Sequence, residues 1–262
     1  MNFRVNPVRP ILVLISNWPY QKERPALILS VADTTLNYAF DFSAPLAYAP
    51  DLLAGAWTTL TLSLASTFFG FLVGVLCAIA NTKGTRWMAR CAGVYIEVIR
   101  NTPLLVQVFI VYFGLSSLGW PVGAFTAATV ALVVNVGAYT SEIVRAGIES
   151  IPKGQLEAAE CIGLSRWQNL LHVVLPPAIE RVYPALTSQY VLLMLASSIC
   201  SQISAEELTA VANRIQSDTY RSVETYLIVA LAYLLMSLLM RGLFWLLARL
   251  AFPRRRRLGT PL

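Results

Sequence analysis

The sequence predicts an all-α integral membrane protein with five transmembrane helices, its N-terminus outside the membrane and its C-terminus inside. Three observations lead to this fold class. Of the 262 residues, 56% are hydrophobic and 13% are charged, whereas soluble domains are about 45–50% apolar and about 25% charged. The apolar residues form five stretches long enough for a membrane span, which needs about 20 residues. Basic connections between these stretches alternate with neutral or acidic ones.

Two of the five predicted spans contain polar groups in unusual places. The second is interrupted by a polar segment that ends in a proline, at residues 100–103. The last turns of the third carry Glu142 and Arg145. Because charged groups are costly in lipid, we expect these positions to face protein or a polar cavity. The predicted spans cover residues 53–80, 89–119, 122–148, 178–203 and 226–247.

The charges of the connections set the predicted orientation. Lys83, Arg86 and Arg90 lie between the first two spans, whereas residues 119–123, between the second and third, carry no charge. Residues 206–224 are rich in acidic side chains and are interpreted as an outer loop. A basic C-terminal run follows the fifth span. Basic loops face the cytoplasm, so five spans place the N-terminus outside and the C-terminus inside.

The chain divides into three predicted regions. Residues 1–50 are expected to be an extracytoplasmic extension, because they contain several prolines and no stretch long enough to span the membrane. A short interfacial helix is expected at residues 44–53, and no secretory signal is evident. Residues 51–250 form the predicted transmembrane domain. Residues 251–262 form a basic cytoplasmic tail.

Several function classes are disfavoured by composition and by missing motifs. The formal net charge is +6, but its densest part, residues 254–257, directly follows an apolar helix. That position favours contact with anionic lipid over nucleic acid. The sequence has no phosphate-binding GxxxxGK[ST] loop and no clustered histidines or cysteines. We therefore expect no catalytic residue, no metal ligand and no cofactor in this chain.

A polar, helix-prone segment separates the third and fourth predicted spans and faces the cytoplasm in this topology. Residues 155–162 favour a helix, which Gly163 ends. Ser165 and Gln168 have the spacing of a capping box, which begins a second helix. Apolar residues of this second helix at positions i, i+3, i+4 and i+7 are expected to pack against the spans. They are Trp167, Leu170, Leu171 and Val174, and Pro176 and Pro177 are expected to end this helix and begin the next span.

This segment has two interpretations: an amphipathic loop at the lipid surface, or a handle that a partner protein binds. Its residues Glu157-Ala158-Ala159, with Gly163 following and Val-x-Leu-Pro at residues 173–176, resemble the EAA loop of ABC importer permeases. Residues 100–107 resemble the break in the second span of the polar amino acid uptake subfamily. Residues 138–155 resemble that subfamily almost letter for letter, and residues 206–208 also resemble it. The resemblance extends over residues 40–250 and favours the handle.

The resemblance implies the type I ABC importer (MetI-like) permease fold in a bacterial inner membrane, as a multi-pass permease subunit of an ATP-driven importer. The implied substrates are polar amino acids delivered by an extracytoplasmic solute-binding protein. The implied partners are a second permease subunit, identical or homologous, membrane lipid, and an ABC ATPase dimer that binds the ATP and Mg²⁺. The residues implied to couple to the ATPase are Gln155, Glu157, Ala158, Ala159, Gly163 and Trp167.

Two alternatives stay open at this point. Where the subfamily often has Lys-Asp-Thr-Ser-Leu, residues 195–199 of this chain read Leu-Ala-Ser-Ser-Ile. Two charges near the pathway are therefore missing, and the same kind of importer for another small zwitterion or cation, such as an opine or ectoine, remains possible. An ATPase-independent channel is the more distant alternative.

The substrate pathway is expected near the break in the second span. The proline frees backbone carbonyls there, and the start of the next helix favours a substrate carboxylate. A structural interpretation competes with this one: Arg100 pairs with Glu97 or Glu142, and the pair of Glu142 with Arg145 positions the polar segment. The candidate pathway residues are Arg100, Asn101, Thr102, Tyr139, Glu142, Ser188, Ser197 and Ser198.

Overall fold

The computed structural model describes residues 39–251, and every regular element within that range is helical. Most of the predicted N-terminal extension and the basic tail lie outside the described residues. The helices are α1 (Ser43–Leu46), α2 (Ala49–Lys83), α3 (Arg86–Arg100), α4 (Leu104–Ser117), α5 (Ala124–Glu149), α6 (Lys153–Cys161), α7 (Arg166–Gln168), α8 (Leu175–Ala196), α9 (Leu208–Thr219) and α10 (Ser222–Ala251). A π-helical stretch, Asn169–Val174, joins α7 to α8, and a 3₁₀ helix, Ser197–Ile203, extends α8.

Four continuous helical stretches of the described residues are long and apolar enough to cross a membrane. They are α2, α5, α10 and the stretch Arg166–Ile203 that contains α8. Helices α3 and α4 pass the same test only together, and they are bent by 108° at their break. When this bent pair counts as one span, the structure has the five predicted spans in the predicted order.

The bend between α3 and α4 is stabilised by polar side chains. Pro103 begins the new helix and cannot donate a backbone hydrogen bond to the preceding turn. The Asn101 side chain donates to the Glu97 carbonyl at 2.8 Å. Gln107 donates to the Ile99 carbonyl at 2.8 Å and accepts from Asn135 of α5 at 2.9 Å in turn. The carbonyls that the break releases therefore find partners inside the protein, as the membrane requires.

The most extensive helix pair, α2 with α5, packs through small residues. Gly70 and Gly74 are spaced as in a GxxxG motif, and both are buried. A Cβ added at Gly74 would lie 2.5 Å from the Thr140 side chain, and one at Gly70 would lie 2.2 Å from Val136 Cγ1. Only glycine permits this approach, and small residues of this kind are typical of helix contacts in membranes.

Residues 206–224, predicted as an outer loop, instead contain helix α9. Glu207 caps its N-terminus, and its carboxylate accepts a hydrogen bond from the Ala210 amide at 2.8 Å. Glu207 and Glu224 are both completely buried, so two of the acidic residues of the supposed loop are packed inside the protein. A hydrogen-bonded cap and burial by the spans explain why this charged stretch is ordered.

The predicted interfacial helix near residues 44–53 is also different in the structure. It is split between α1 and the first turn of α2, which already begins at Ala49. Pro50 lies in this first turn, where a proline loses no helical hydrogen bond. The first span is therefore longer than predicted at its outer end.

Candidate functional site

The polar segment between α5 and α8 forms the predicted pair of short helices. Helix α6 ends at Gly163, whose φ is +80°, a conformation that glycine adopts without strain. The amides of Gly163 and Leu164 close the helix end by bonding to the carbonyls of Glu160 and Ala159 at 3.0 and 3.2 Å. Ser165 and Gln168 form the predicted capping box. The local signals for these two helices are confirmed.

The apolar stripe of the second helix does not pack as predicted. Leu170 and Val174 are buried, but Trp167 is 66% exposed and Leu171 is 50% exposed. The π-helical stretch departs from the α-helical period assumed for the stripe, and its buried residues are Asn169, Leu170 and Val174. Ile162, Trp167 and Leu171 are all exposed and give the segment an apolar outer surface. This surface stands on an otherwise polar segment, which is typical of a protein contact.

The residues predicted to couple to a partner lie mainly on the outer surface of this segment. Gln155, Glu157 and Ala158 are exposed on α6. Ala159 is the exception, since it is 4% exposed and faces inward. The two helices are also tied to each other, because the buried Asn169 side chain donates to the Leu156 carbonyl at 3.5 Å. The segment thus presents acidic and apolar side chains on a compact base.

Pro176 and Pro177 begin the fourth span as predicted, but they do not interrupt the helix that precedes it. The chain stays helical from Arg166 to Ile203. Both prolines lie in the first turn of α8, where the missing amide hydrogen leaves few helical bonds unmade. The π-helical stretch before them accommodates the change of geometry. The polar segment is therefore continuous with the fourth span.

Four of the predicted pathway residues meet in one open pocket at the bend between α3 and α4. Arg100, Asn101, Tyr139 and Glu142 line it, and its volume is about 370 Å³. A guanidinium nitrogen of Arg100 lies 3.9 Å from a carboxylate oxygen of Glu142. The same guanidinium lies 5.6 Å from the Tyr139 ring centre, within the range of a cation–π contact.

Glu142 also joins a row of charges along the end of α5. Arg145 Nε donates to Glu142 Oε2 at 3.2 Å, and a second bond joins Arg145 Nη2 to Glu142 Oε1. Arg145 Nη1 donates to Glu149 at 2.6 Å. Paired hydrogen bonds of this kind fix the orientation of a carboxylate. The predicted Glu142–Arg145 pair is present, and it links the pocket to the end of α5 from which the polar segment starts.

The other predicted pathway residues lie elsewhere. Thr102 is exposed and donates to the Val98 carbonyl at 2.9 Å. Ser188 lies in a separate groove between α8 and α10. Ser198 lines a further groove, which is formed by the end of α8, α9 and α10. Ser197, also predicted to line the pathway, is completely buried and donates to the Met194 carbonyl at 2.7 Å. The 3₁₀ geometry turns this hydroxyl back into its own helix.

Sequence reasoning missed two polar residues of the pocket. Glu97 was considered only as a partner for Arg100, and Asn81 was not considered at all, yet both line the cavity. Glu97 lies one turn before Arg100, a spacing that places both on one helix face. Asn81 belongs to the last turns of α2. In the sequence, Asn81 is recognisable only as a polar side chain near the end of an apolar helix. The helices that complete the pocket around it are known only from the fold.

Comparison with known proteins identifies the family. The sequence model of the binding-protein-dependent transport system inner membrane component matches residues 70–252. The glutamine transport system permease protein GlnP of Escherichia coli (strain K12) is 38% identical over 204 residues, which cover 77% of this chain and 93% of that protein. The nopaline transport system permease protein NocM of Agrobacterium fabrum is 37% identical over 207 residues, which cover 75% and 86%.

Solved structures agree in fold. A crystal structure of an amino acid ABC transporter with histidines contains a chain that is 38% identical, with a TM-score of 0.73, over 80% of this chain and 99% of that one. The MetNI methionine ABC transporter, in an inward-facing form, matches with a TM-score of 0.64 at 23% identity, over 76% of this chain and 95% of that one. The fold is that of type I ABC importer permeases. The chain belongs to the family of inner membrane components of binding-protein-dependent transport systems.

Proposed function

We propose that this permease carries polar amino acids across a bacterial inner membrane, driven by a separate ABC ATPase dimer that binds ATP and Mg²⁺. The observation that carries the proposal is the charged pocket at the bend between α3 and α4. It places Arg100 beside Glu97 and Glu142. A polar amino acid carries a carboxylate and an ammonium group, and this pocket offers a partner of opposite sign to each.

The polar segment of residues 153–174 is proposed as the contact with the ATPase. Its exposed residues include the acidic Glu157 and the apolar Ile162, Trp167 and Leu171. Exposed aromatic and aliphatic groups next to charged ones suit a specific protein interface. Because this segment connects α5 directly to α8, a push from the ATPase reaches two spans at once.

The remaining proposed partners are membrane lipid, a second permease subunit and a solute-binding protein. Helix α10 exposes a row of leucines, among them Leu231, Leu234, Leu238 and Leu239, which suits contact with lipid or with a second permease subunit, identical or homologous. An extracytoplasmic solute-binding protein is proposed to deliver the substrate, as the description of the family indicates.

An opine is the second candidate substrate. Relatives that transport octopine and nopaline are as similar to this chain as those that transport glutamine. The pocket is lined by two carboxylates, Glu97 and Glu142, and Glu142 already pairs with both Arg100 and Arg145. Glu97 is therefore the group proposed to meet a positively charged side chain of the ligand.

The test is reconstitution of the chain with the ATPase and the solute-binding protein that co-purify with it from its native membrane. We expect ATP-dependent uptake into proteoliposomes of glutamine, arginine or nopaline, whichever the binding protein retains. Uptake that needs neither ATP nor the ATPase would support the channel interpretation. Purification without any associated ATPase would contradict the proposed contact of residues 153–174.

A further inference from the structure

We define residues 151–174 as the coupling segment, and the end of α5 and the start of α8, which flank it, as its two stems. We propose that Arg181 and Ser150 form a clamp that holds these two stems together. The clamp makes the segment transmit the movement of the ATPase to α5 and α8 as one rigid body. Arg181 is thereby a positioning residue, because it acts through the stems without touching ATP or substrate. The inference rests on the proposed ATPase contact of this segment.

The clamp consists of two hydrogen bonds from one guanidinium nitrogen. Arg181 Nη1, on α8, donates to the Ser150 carbonyl oxygen at 2.6 Å and to the Ser150 hydroxyl at 2.7 Å. Ser150 is the residue that caps the C-terminus of α5. A positive charge at a helix C-terminus meets carbonyls that have no helical partner and interacts favourably with the helix dipole.

The Ser150 hydroxyl extends the connection further into α5. It donates to the Gly147 carbonyl at 2.6 Å while it accepts from Arg181. The chain of bonds therefore runs from α8 through the cap to the last full turn of α5. Linked bonds of this kind polarise and strengthen one another.

The backbones of the two stems also touch at this level. A Cβ placed on Gly147 would lie 2.9 Å from the Ala178 carbonyl oxygen and 2.8 Å from Val182 Cγ1. No larger residue fits between the stems, so α5 and α8 meet directly where the coupling segment leaves and returns. The close contact fixes their distance, and the Arg181 bonds resist sliding of one stem along the other.

The coupling segment between these stems has its own packed interior. Ile151 and Ala159 on the first side and Leu170 and Val174 on the second are all buried, and the Asn169 side chain bonds across the segment to the backbone of α6. A compact unit that is also clamped at its base moves as a whole. Without the clamp, a force on the exposed surface would let one stem slide along the other.

The clamp is exposed, which makes it separable from folding stability. Arg181 is an exposed residue, and exposed charged bonds contribute little to stability because water and salt compete for them. Replacement of Arg181 is therefore expected to leave the assembled amount of the complex nearly unchanged. Its effect should fall on coupling, measured as amino acid transported per ATP hydrolysed.

The experiment compares Arg181→Ala, Arg181→Lys and Ser150→Ala with the wild type in the full reconstituted complex. The matched control is Thr187→Ala on the same helix, because the Thr187 hydroxyl donates to the Pro184 carbonyl of its own helix at 2.9 Å. Uptake, ATP hydrolysis stimulated by the binding protein, and the amount of assembled complex are measured on each sample.

We expect Arg181→Ala to lower the transported amount per ATP roughly fivefold, equivalent to about 1 kcal/mol. Arg181→Lys should restore more than half of the loss, because an ammonium group can donate to the same two oxygens. Ser150→Ala keeps the carbonyl acceptor and should lower the ratio by about a factor of two. Thr187→Ala should match the wild type.

Two results would overturn the clamp. One is an unchanged ratio in Arg181→Ala, and the other is a loss of uptake and hydrolysis in the same proportion as the assembled complex. If Arg181→Ala does not assemble, the ratio measured on Ser150→Ala decides. Failure of the proposed function is distinguishable, because then the wild type itself shows no uptake that depends on ATP.

Discussion

Arg100 and Glu142 face each other across 3.9 Å, and this pair connects the broken second span to the charged end of α5. Glu142 also forms an ion pair with Arg145, and Arg145 forms a second ion pair with Glu149. The pocket, the end of α5 and the start of the coupling segment therefore belong to one charged row. A change in the charge of the pocket therefore alters the electrostatic environment of the residues that lead to the proposed ATPase contact.

Glu142→Gln is expected to lower uptake roughly tenfold, equivalent to about 1.4 kcal/mol, because both Arg100 and Arg145 lose a charged partner. The matched control is Glu149→Gln, which removes the charge farthest from the pocket in the same row and leaves the residues that line the pocket unchanged. Initial rates of uptake into proteoliposomes provide the measurement. Equal losses in the two variants would show that the pocket charge has no special role.

Glu157→Lys is expected to weaken binding of the ATPase, since it reverses a charge on the exposed surface of α6. Glu206→Lys is the control, because Glu206 is equally exposed but lies at the start of the α9 region. The yield of ATPase that co-purifies with the chain should fall at least fivefold in the first variant only. An unchanged yield would remove Glu157 from the interface.

Gly74→Ala is expected to destabilise the helix pair α2–α5 by about 1–3 kcal/mol, the usual cost of overpacking. The added Cβ would lie 2.5 Å from the Thr140 side chain, so one of the two helices must move. At Gly242 of α10, no atom of the described residues outside its own helical turns lies within 4 Å of such a Cβ, and Gly242→Ala serves as the control. Thermal unfolding in detergent should show a lower midpoint for Gly74→Ala alone.

Burial raises the pKa of Glu207, which lies at the N-terminus of α9. A carboxyl whose pKa is raised in the folded state favours folding most when it is protonated, so its contribution is complete below the unfolded pKa of about 4.3. The contribution is lost as the pH rises through the raised pKa of the folded state. Low pH should therefore favour the wild type relative to a variant that cannot ionise.

Glu207→Gln provides that variant, because glutamine has nearly the shape of the protonated acid. The difference in melting temperature, wild type minus variant, should decrease between about pH 4.3 and neutral pH. Glu206→Gln, an exposed neighbour, should show no such trend. The same trend in both variants would mean that Glu207 does not carry the pH dependence.

Features with a local cause were predictable from the sequence. The capping box at Ser165 and Gln168, the glycine stop at Gly163 and the five apolar stretches all depend on residues that are close in the chain, and each is present. The Glu142–Arg145 pair is of the same kind, since it joins residues one helical turn apart. Short-range geometry is nearly the same in every helix, which makes such signals reliable.

Features that need two distant segments were not predictable. Asn81 and Glu97 share the pocket only because α2, α3 and α5 converge there. Ser197 is buried in the 3₁₀ helix at one end of the fourth span, and Leu171 is exposed in the π-helical stretch at the other end. Residue spacing does not reveal such departures, since the α-helical period of 3.6 was assumed throughout. Glu207 was predicted to lie in an outer loop. Its hydrogen bond to the Ala210 amide at the start of α9 and its burial against neighbouring helices are visible only in the fold.

The π-helical stretch Asn169–Val174 has a consequence for how the fourth span is oriented about its own axis. Each residue of an α-helix turns the chain by about 100°, and a π-helical turn accommodates one extra residue without interrupting the helix. The rotation of α8, and with it the inward direction of Leu186 and Tyr190, is therefore set on the cytoplasmic side, within the coupling segment. A single-residue deletion that converts this stretch to a regular α-helix would keep the inward face of the span in place, whereas the same deletion within α8 would rotate the residues beyond it by about 100°.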